Sequence, residues 1–177
     1  MNLRRLYPSV ESIYVRTGGV SMRLDGAYLC KESHNERCLR GGLSSEWFDW
    51  KPTSGRLESI QRGIGKRELL VAEADNKIIG FIHYVIHEDL IDGGPNSFIS
   101  AFYVSKAHRR AGVGTLLLES AIEDSLERGA VGVETSTIHA LAKRLYEKHH
   151  FKQTIGDIGE VFLELDIPEY LQAKRGA

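Results

Sequence analysis

A strand that runs into a helix through Arg109-Arg110-Ala111-Gly112-Val113-Gly114 constrains this chain more than any other stretch. Phe98 to Val104 is apolar, aromatic and β-branched, the composition of a strand. Beyond the glycines, Val113, Leu116, Leu117, Ala121, Ile122 and Leu126 recur at helical spacing, with Glu119, Glu123, Asp124 and Glu127 between them. Gly129 marks the predicted helix end, and Arg128 sits in the last turn, where the helix dipole favours a cation. The opposite end of such a helix exposes unpaired backbone N–H groups and about half a positive charge. Two glycines one residue apart let an anion reach the main chain without meeting a Cβ, and Arg109 and Arg110 add forked donors. In chemical terms the junction is a phosphate cradle. It is not a P-loop, because Gly114 is followed by Thr115 and Leu116 with no lysine. Nor is it a dinucleotide fingerprint, because position 117 is Leu where a third glycine is needed. A bare glycine pair, taken alone, favours a tight strand-to-helix turn with its arginines in solvent.

The wider pattern shifts that balance. Tyr103-Val104, four residues, then Arg109-x-x-Gly112-x-Gly114 resembles motif A of the GNAT superfamily of N-acetyltransferases, Arg/Gln-x-x-Gly-x-Gly/Ala after a strand. Downstream, His139-Ala140-Leu141-Ala142-Lys143-Arg144-Leu145-Tyr146-Glu147-Lys148-His149-His150-Phe151 resembles the family's motif B, Asn-x-x-Ala-x-x-Leu-Tyr-x-x-x-Gly-Phe. Ala142, Leu145, Tyr146 and Phe151 match in register, and the two motifs together cover about residues 97–152. Three positions depart from the pattern: His139 stands where asparagine is common, His150 where glycine is common, and Lys106 where proline often follows the strand.

The resemblance implies an α/β fold, one domain over residues 1–177 with a central mixed sheet flanked by helices. It implies transfer of acetyl from acetyl-CoA to an amine acceptor, with acetyl-CoA lying where the strand ending at Val104 splays from one at Val131–Thr137. Phe102, Tyr103 and Val104 would meet the thioester and pantetheine, the N–H near Phe102 polarising the thioester oxygen and Val104 pairing with the pantetheine amide. Arg109, Arg110, Ala111, Gly112, Val113, Gly114 and Thr115 would cradle the pyrophosphate, His139 and Ala142 would add cofactor contacts, and Tyr146 would protonate the departing thiolate. A homodimer is common in such a family. The reading from another class is a catalytically silent acyl-CoA-binding module, against which the retained Tyr146 speaks.

Composition narrows the partners. At 177 residues, 42% hydrophobic, 27% charged and net charge −1, the chain lacks the basic excess that nucleic-acid binding would use. No stretch has the ~18–20 apolar residues of a membrane span, and Met1 to Pro8 is charged without the apolar core of a secretory signal, so the expected setting is cytoplasmic. Cys30, His34 and Cys38, four apart, would share a helix face; without a fourth ligand nearby they read as unpaired thiols and an ordinary histidine, and no metal is expected.

Along the chain, Leu3–Leu6 reads as a strand, and Ser12–Arg16 with Val20–Leu24 as a hairpin around Thr17-Gly18-Gly19. Leu43–Trp50, carrying Trp47, Phe48 and Trp50, reads as a short helix that the resemblance places at the acceptor pocket. A second helix follows, with Leu57, Ile60 and Ile64 inward. Glu68–Ala74 and Lys77–His87 form a strand pair, the second apolar on both faces as in a covered central strand. Glu88–Asn96 reads as a turn-rich acidic connector, Ile138, Leu141, Ala142, Leu145 and Tyr146 as an apolar helix stripe, Phe151–Ile155 and Glu160–Ile167 as strands, and Tyr170–Ala177 as a frayed tail. An acceptor with a lysine-like pKa of ~10.4 costs about 4–5 kcal/mol to deprotonate at pH 7. Glu73, His83, His87 and Glu134 are the candidate bases, with a water chain as the alternative.

Overall fold

A computed structural model describes residues 14–16, 62–63, 66, 68–74, 77–90, 93–155 and 159–175. The expectations for residues 3–6, 20–24 and 43–60, and for Cys30, His34 and Cys38, lie outside them. The elements are β1 (Tyr14–Arg16), β2 (Leu69–Ala74), β3 (Lys77–Asp89), β4 (Gly94–Val104), α1 (Val113–Glu127), β5 (Gly132–Thr137), α2 (Ala140–Lys148), β6 (Lys152–Ile155), β7 (Val161–Asp166) and α3 (Ile167–Arg175). Two compact units share them: Met1–His83 with Ala101–Leu118, and Tyr84–Ser100 with Glu119–Ala177. β3, β4 and α1 run through both. Strand order is β1-β2-β3-β4 within the first unit and β3-β4-β5-β7-β6 within the second. β4 and β5 are parallel, whereas β1–β2, β2–β3, β5–β7 and β6–β7 are antiparallel, so the sheet is mixed.

In the first unit, Leu69 to Ala72 and Ile79 to Ile82 are buried without alternation, the pattern expected of strands covered on both faces. Gly80 is required by proximity, since a Cβ there would come 2.9 Å from the Tyr103 carbonyl oxygen. Beyond β4, Ser105 N donates to Ile79 O at 2.8 Å, which holds the exit of the strand against β3.

In the second unit the core includes a buried polar tie. Tyr84, fully buried on β3, donates its hydroxyl to Asp124 Oδ2 of α1 at 2.5 Å, and Arg128 Nη1 reaches the same oxygen at 3.4 Å. Burial, and then the Asp124 hydrogen bond, push the Tyr84 phenol well above its ordinary pKa, so it serves as a donor. Ser125 of α1 donates to Ser97 of β4 at 2.9 Å, both buried. The inward stripe of α1 is Val113, Leu117, Leu118, Ala121, Ile122 and Ser125. Leu126, expected inward, falls at the margin of that arc and is exposed. As predicted, Gly129 ends the helix at φ +85, with its N–H on Leu126 O and the Ala130 N–H on Ser125 O.

Three expectations are corrected. The acidic connector is shorter than its composition suggests: Gly93, at φ +75, donates to Asp89 O, and this turn lets β3 run to Asp89 and β4 start at Gly94. The frayed tail is instead the helix α3, because Asp166 Oδ1 accepts the Glu169 N–H at 2.6 Å, Pro168 fits a first turn, and Tyr170 is buried. Ile138 and Leu141 leave the apolar stripe of α2, at 68% and 59% exposed, since Ile138 precedes the helix and Leu141 lies in its first turn, away from buried Tyr146.

Removing the Tyr84 hydroxyl leaves a largely buried carboxylate short of a donor. Tyr84→Phe should lower the urea-derived unfolding free energy by about 1–3 kcal/mol, and a change within a few tenths would dismiss the tie.

Candidate active site

The first unit holds the cradle. Arg110 at φ +65 and Gly112 at φ +88 adopt left-handed backbone on either side of Ala111. The first bond of the α1 ladder runs from Leu116 N to Gly112 O at 3.0 Å, so the amides of Val113, Gly114 and Thr115 precede it and point beyond the helix. A left-handed turn leading into a helix start is the backbone shape that gathers N–H groups around an anion. Glycine takes it freely at 112, whereas arginine at 110 costs about 1–3 kcal/mol.

The two arginines differ. Arg109 folds back, its Nε donating to Val104 O at 2.8 Å and its guanidinium carbon 6.0 Å from the Tyr103 ring centre. It thus braces the end of β4 and retains its terminal NH₂ groups for a ligand. Arg110 is exposed. Tyr103 packs its ring against Phe81 with centres 6.0 Å apart, so its side chain serves the core, while Phe102 and Val104 are half-buried. At the turn after β4, Lys106–His108 is a short 3₁₀ helix, with Ser105 Oγ 2.7 Å from His108 Nδ1.

The second unit holds the end of a ladder and a phenol. β4 and β5 pair over four positions, from Asn96↔Gly132 to Ile99↔Thr135. β4 then continues to Val104, and Ser136 and Thr137 of β5 keep their partners Phe162 and Val161 on β7. At the last rung, Thr135 Oγ1 donates to Ile99 O at 3.3 Å and lies 3.5 Å from the Tyr146 hydroxyl. Tyr146 is 2% exposed, its ring centre 5.2 Å from that of Phe151. Burial raises the pKa of its phenol, with Thr135 opposing to a smaller extent, so the proton is held at neutral pH.

Alternation along β5 sends Glu134 to the face opposite Thr135. There Asn96 Nδ2 donates to Glu134 Oε1 at 3.0 Å, and Ser136 Oγ donates to Glu160 Oε1 at 2.6 Å. The candidate bases thereby separate. Glu134 is held in place at the end of the ladder. His83 is half-buried in the first unit, where burial lowers its imidazole pKa and Glu68 opposes. His87 is exposed, and the Glu73 side chain lies outside the described atoms.

His139 caps α2 with its backbone only: its N–H donates to Thr137 Oγ1 at 3.1 Å, and its ring is exposed. Ala142 is half-buried on the first turn. Phe102 to Thr115 therefore lie together in the first unit, and His139, Ala142 and Tyr146 in the second. Thr135 and Asn96 were not legible in the sequence, since each is defined by a partner distant along the chain. Among the described residues, no group of three or more His, Cys, Asp or Glu could hold a metal ion, and no helix is long and apolar enough to cross a membrane.

Residues 36–151 match the profile of the Acetyltransferase (GNAT) family. No curated protein matches the chain significantly. Among solved structures, Ard1 from Thermoplasma volcanium is similar at TM-score 0.61 and 16% identity, over 88% of this chain and 97% of its own. Naa50 from Arabidopsis thaliana, solved with the bisubstrate analogue CoA-Ac-MVNAL, is similar at TM-score 0.60 and 13% identity, over 86% and 97%. An agmatine N-acetyltransferase in its apo form is similar at TM-score 0.65 and 12% identity, over 88% and 100%. At these identities the likeness is one of fold.

The α2 terminus that carries Tyr146 ends at His150, which adopts φ +68 where motif B usually has glycine. His150→Gly should relieve that backbone and raise stability by about 0.5–1 kcal/mol. A lower melting temperature would show instead that the edge contact of the His150 ring on Tyr170, with centres 5.9 Å apart, outweighs it.

Proposed function

The chain belongs to the GNAT acetyltransferase family, and from that membership we propose that it transfers the acetyl group of acetyl-CoA to an amine by direct attack in a ternary complex. The observation that carries the reading is the end of the β4–β5 ladder at Ile99↔Thr135, with a protonated phenol on one face and a carboxylate held by an amide on the other. The silent-module reading is disfavoured by the same feature, since binding alone does not call for an acid and a base.

In this proposal the amides from Gly112 to Thr115, with Arg110 and the free end of the Arg109 guanidinium, bind the pyrophosphate. The N–H near Phe102 polarises the thioester oxygen, Val104 meets the pantetheine, and His139 and Ala142 line the cofactor beside α2. Glu134 takes the proton that the amine must lose, directly or through a water. Tyr146 gives its proton to the sulfur as the carbon–sulfur bond breaks, which leaves free CoA and the N-acetylated amine. A thiol of pKa ~8.5 is already a fair leaving group, so the acid accelerates a step that alignment of amine and thioester makes possible.

For the acceptor the proposal extends to amines of small molecules and of proteins. Its support is that one similar structure carries a CoA–peptide conjugate and another is named for agmatine. The cytoplasmic setting and a homodimer belong to the proposal on family resemblance.

Release of thiol from acetyl-CoA with a panel of amines tests the reading. Tyr146→Phe should slow turnover within the ~10²–10⁴-fold that a general acid contributes, without abolishing it; an unchanged rate removes Tyr146 from the mechanism. Glu134→Gln should lose rate at pH 7 and regain it as the pH approaches the acceptor's own pKa, ~10.4 for a lysine-like amine, because the free amine then needs no base. A parallel fall at every pH would exclude Glu134. Gly112→Glu sets a carboxylate against phosphate and should weaken CoA binding at least tenfold by calorimetry, and unaltered affinity would refute the cradle.

A further inference from the structure

Tyr146 Oη lies 3.5 Å from Thr135 Oγ1 on β5. The backbone of Tyr146 is held as well. The Tyr146 carbonyl accepts the N–H of His149 at 2.8 Å and that of Phe151 at 3.1 Å, and the Phe151 ring packs on the Tyr146 ring. His149 adds a tie that reaches outside the helix. It is buried at the end of α2, with Nδ1 2.8 Å from Leu145 O and Nε2 3.5 Å from Glu119 Oε1 on α1. A backbone carbonyl only accepts, so Nδ1 carries a hydrogen. Nε2 then faces a carboxylate, which also only accepts, and the pair is attractive when the ring donates from both nitrogens. The hydrogen bond from His149 is the foremost reason that the Glu119 carboxyl is held below its ordinary pKa, with burial opposing and Lys174 of α3 adding to the lowering.

We propose that His149 is a positioning residue for Tyr146, clamping the residue before it to α1 through Glu119 so that the phenol stays at the end of the β4–β5 ladder. This rests on the acid role given to Tyr146 above. The clamp spans two helices, whereas the capping bonds of α2 stay within its own last turn. Losing it loosens the placement of the acid, and neither His149 nor Glu119 is among the residues assigned to the cradle. A misplacement on the scale of 1 Å is enough to be felt in rate.

The test uses the full chain with His149→Leu, His149→Gln and Glu119→Gln. Its readouts are kcat, KM for acetyl-CoA, melting temperature, and the ¹³Cζ resonance of Tyr146, assigned by comparison with Tyr146→Phe. His149→Leu and Glu119→Gln should each lower kcat about tenfold at unchanged KM, the order expected for displacing rather than deleting the acid. Both should also move or broaden the Tyr146 resonance, and His149→Gln, which keeps a donor towards Glu119, should recover part of the loss. Glu119 is partly exposed, so Glu119→Gln tests the clamp in a folded chain should His149→Leu unfold. Unchanged kcat and resonance in Glu119→Gln overturn the proposal, as does a loss of kcat and KM together that follows the melting temperature. If the unmodified chain acetylates no amine, the functional reading fails separately and the resonance alone decides: moved, the clamp stands; unmoved in both Glu119→Gln and His149→Leu, it falls.

Discussion

Two parallel strands that pair for four residues and then stop impose the arrangement of everything else. A parallel pair needs a crossover, and here α1 supplies it, so the start of a helix follows the end of β4 by a few residues. The strand end and the amide cradle are therefore neighbours by chain connectivity alone. Stopping the ladder leaves backbone groups to be satisfied, and the chain meets part of that need itself. Arg109 Nε takes the Val104 carbonyl, Ser105 N takes the Ile79 carbonyl, and β7 pairs with β5 from Gly132 to Thr137. β5 can thus part from β4 at Ser136 while remaining bonded along its other edge.

The same strand separates the two groups proposed to handle protons. Residues adjacent in a strand face opposite sides, so Thr135 with its Tyr146 contact and Glu134 with its Asn96 contact are distributed by the pleat itself. A slip of one residue would exchange them. β7 guards against that slip, because Val161, Leu163 and Leu165 are buried while Phe162 and Asp166 are exposed, and Leu163 is opposite Thr135. Hydrophobic burial on one strand thereby sets which face each side chain takes on its neighbour.

What could be foreseen from the sequence divides along a physical line. The Arg109-x-x-Gly112-x-Gly114 junction, the Gly129 helix stop and the Tyr146 helix are local patterns, each fixed by residues within a turn or two of one another. The helix over Ile167–Arg175 was also local, announced by Asp166 and Pro168, but its weak apolar content hid it. The partners of Glu134 and Thr135 lie 38 and 36 residues away and leave no periodic trace. Leu118 and Leu126 show the intermediate case: helical spacing identifies a stripe, but the neighbouring strands decide which edge of it is covered.

Backbone strain falls in the two stretches that the proposal draws on. Among the described residues, the non-glycine positions with positive φ are Arg110, in the cradle, and His150, at the end of the helix that carries Tyr146. Each costs about 1–3 kcal/mol, a sizeable fraction of the ~5–15 kcal/mol that holds a domain folded. At 150 glycine would relieve the strain at its own entropic cost of about 0.5–1 kcal/mol, which leaves a smaller net gain, whereas at 110 it would also remove a cation from a place where helix-start amides already converge. In the proposed reading a bound diphosphate would draw the same N–H groups towards itself and so favour the geometry that is unfavourable on its own. In that reading the strain at 110 is preorganisation for an anion, while the strain at 150 lies at the end of the helix that carries Tyr146.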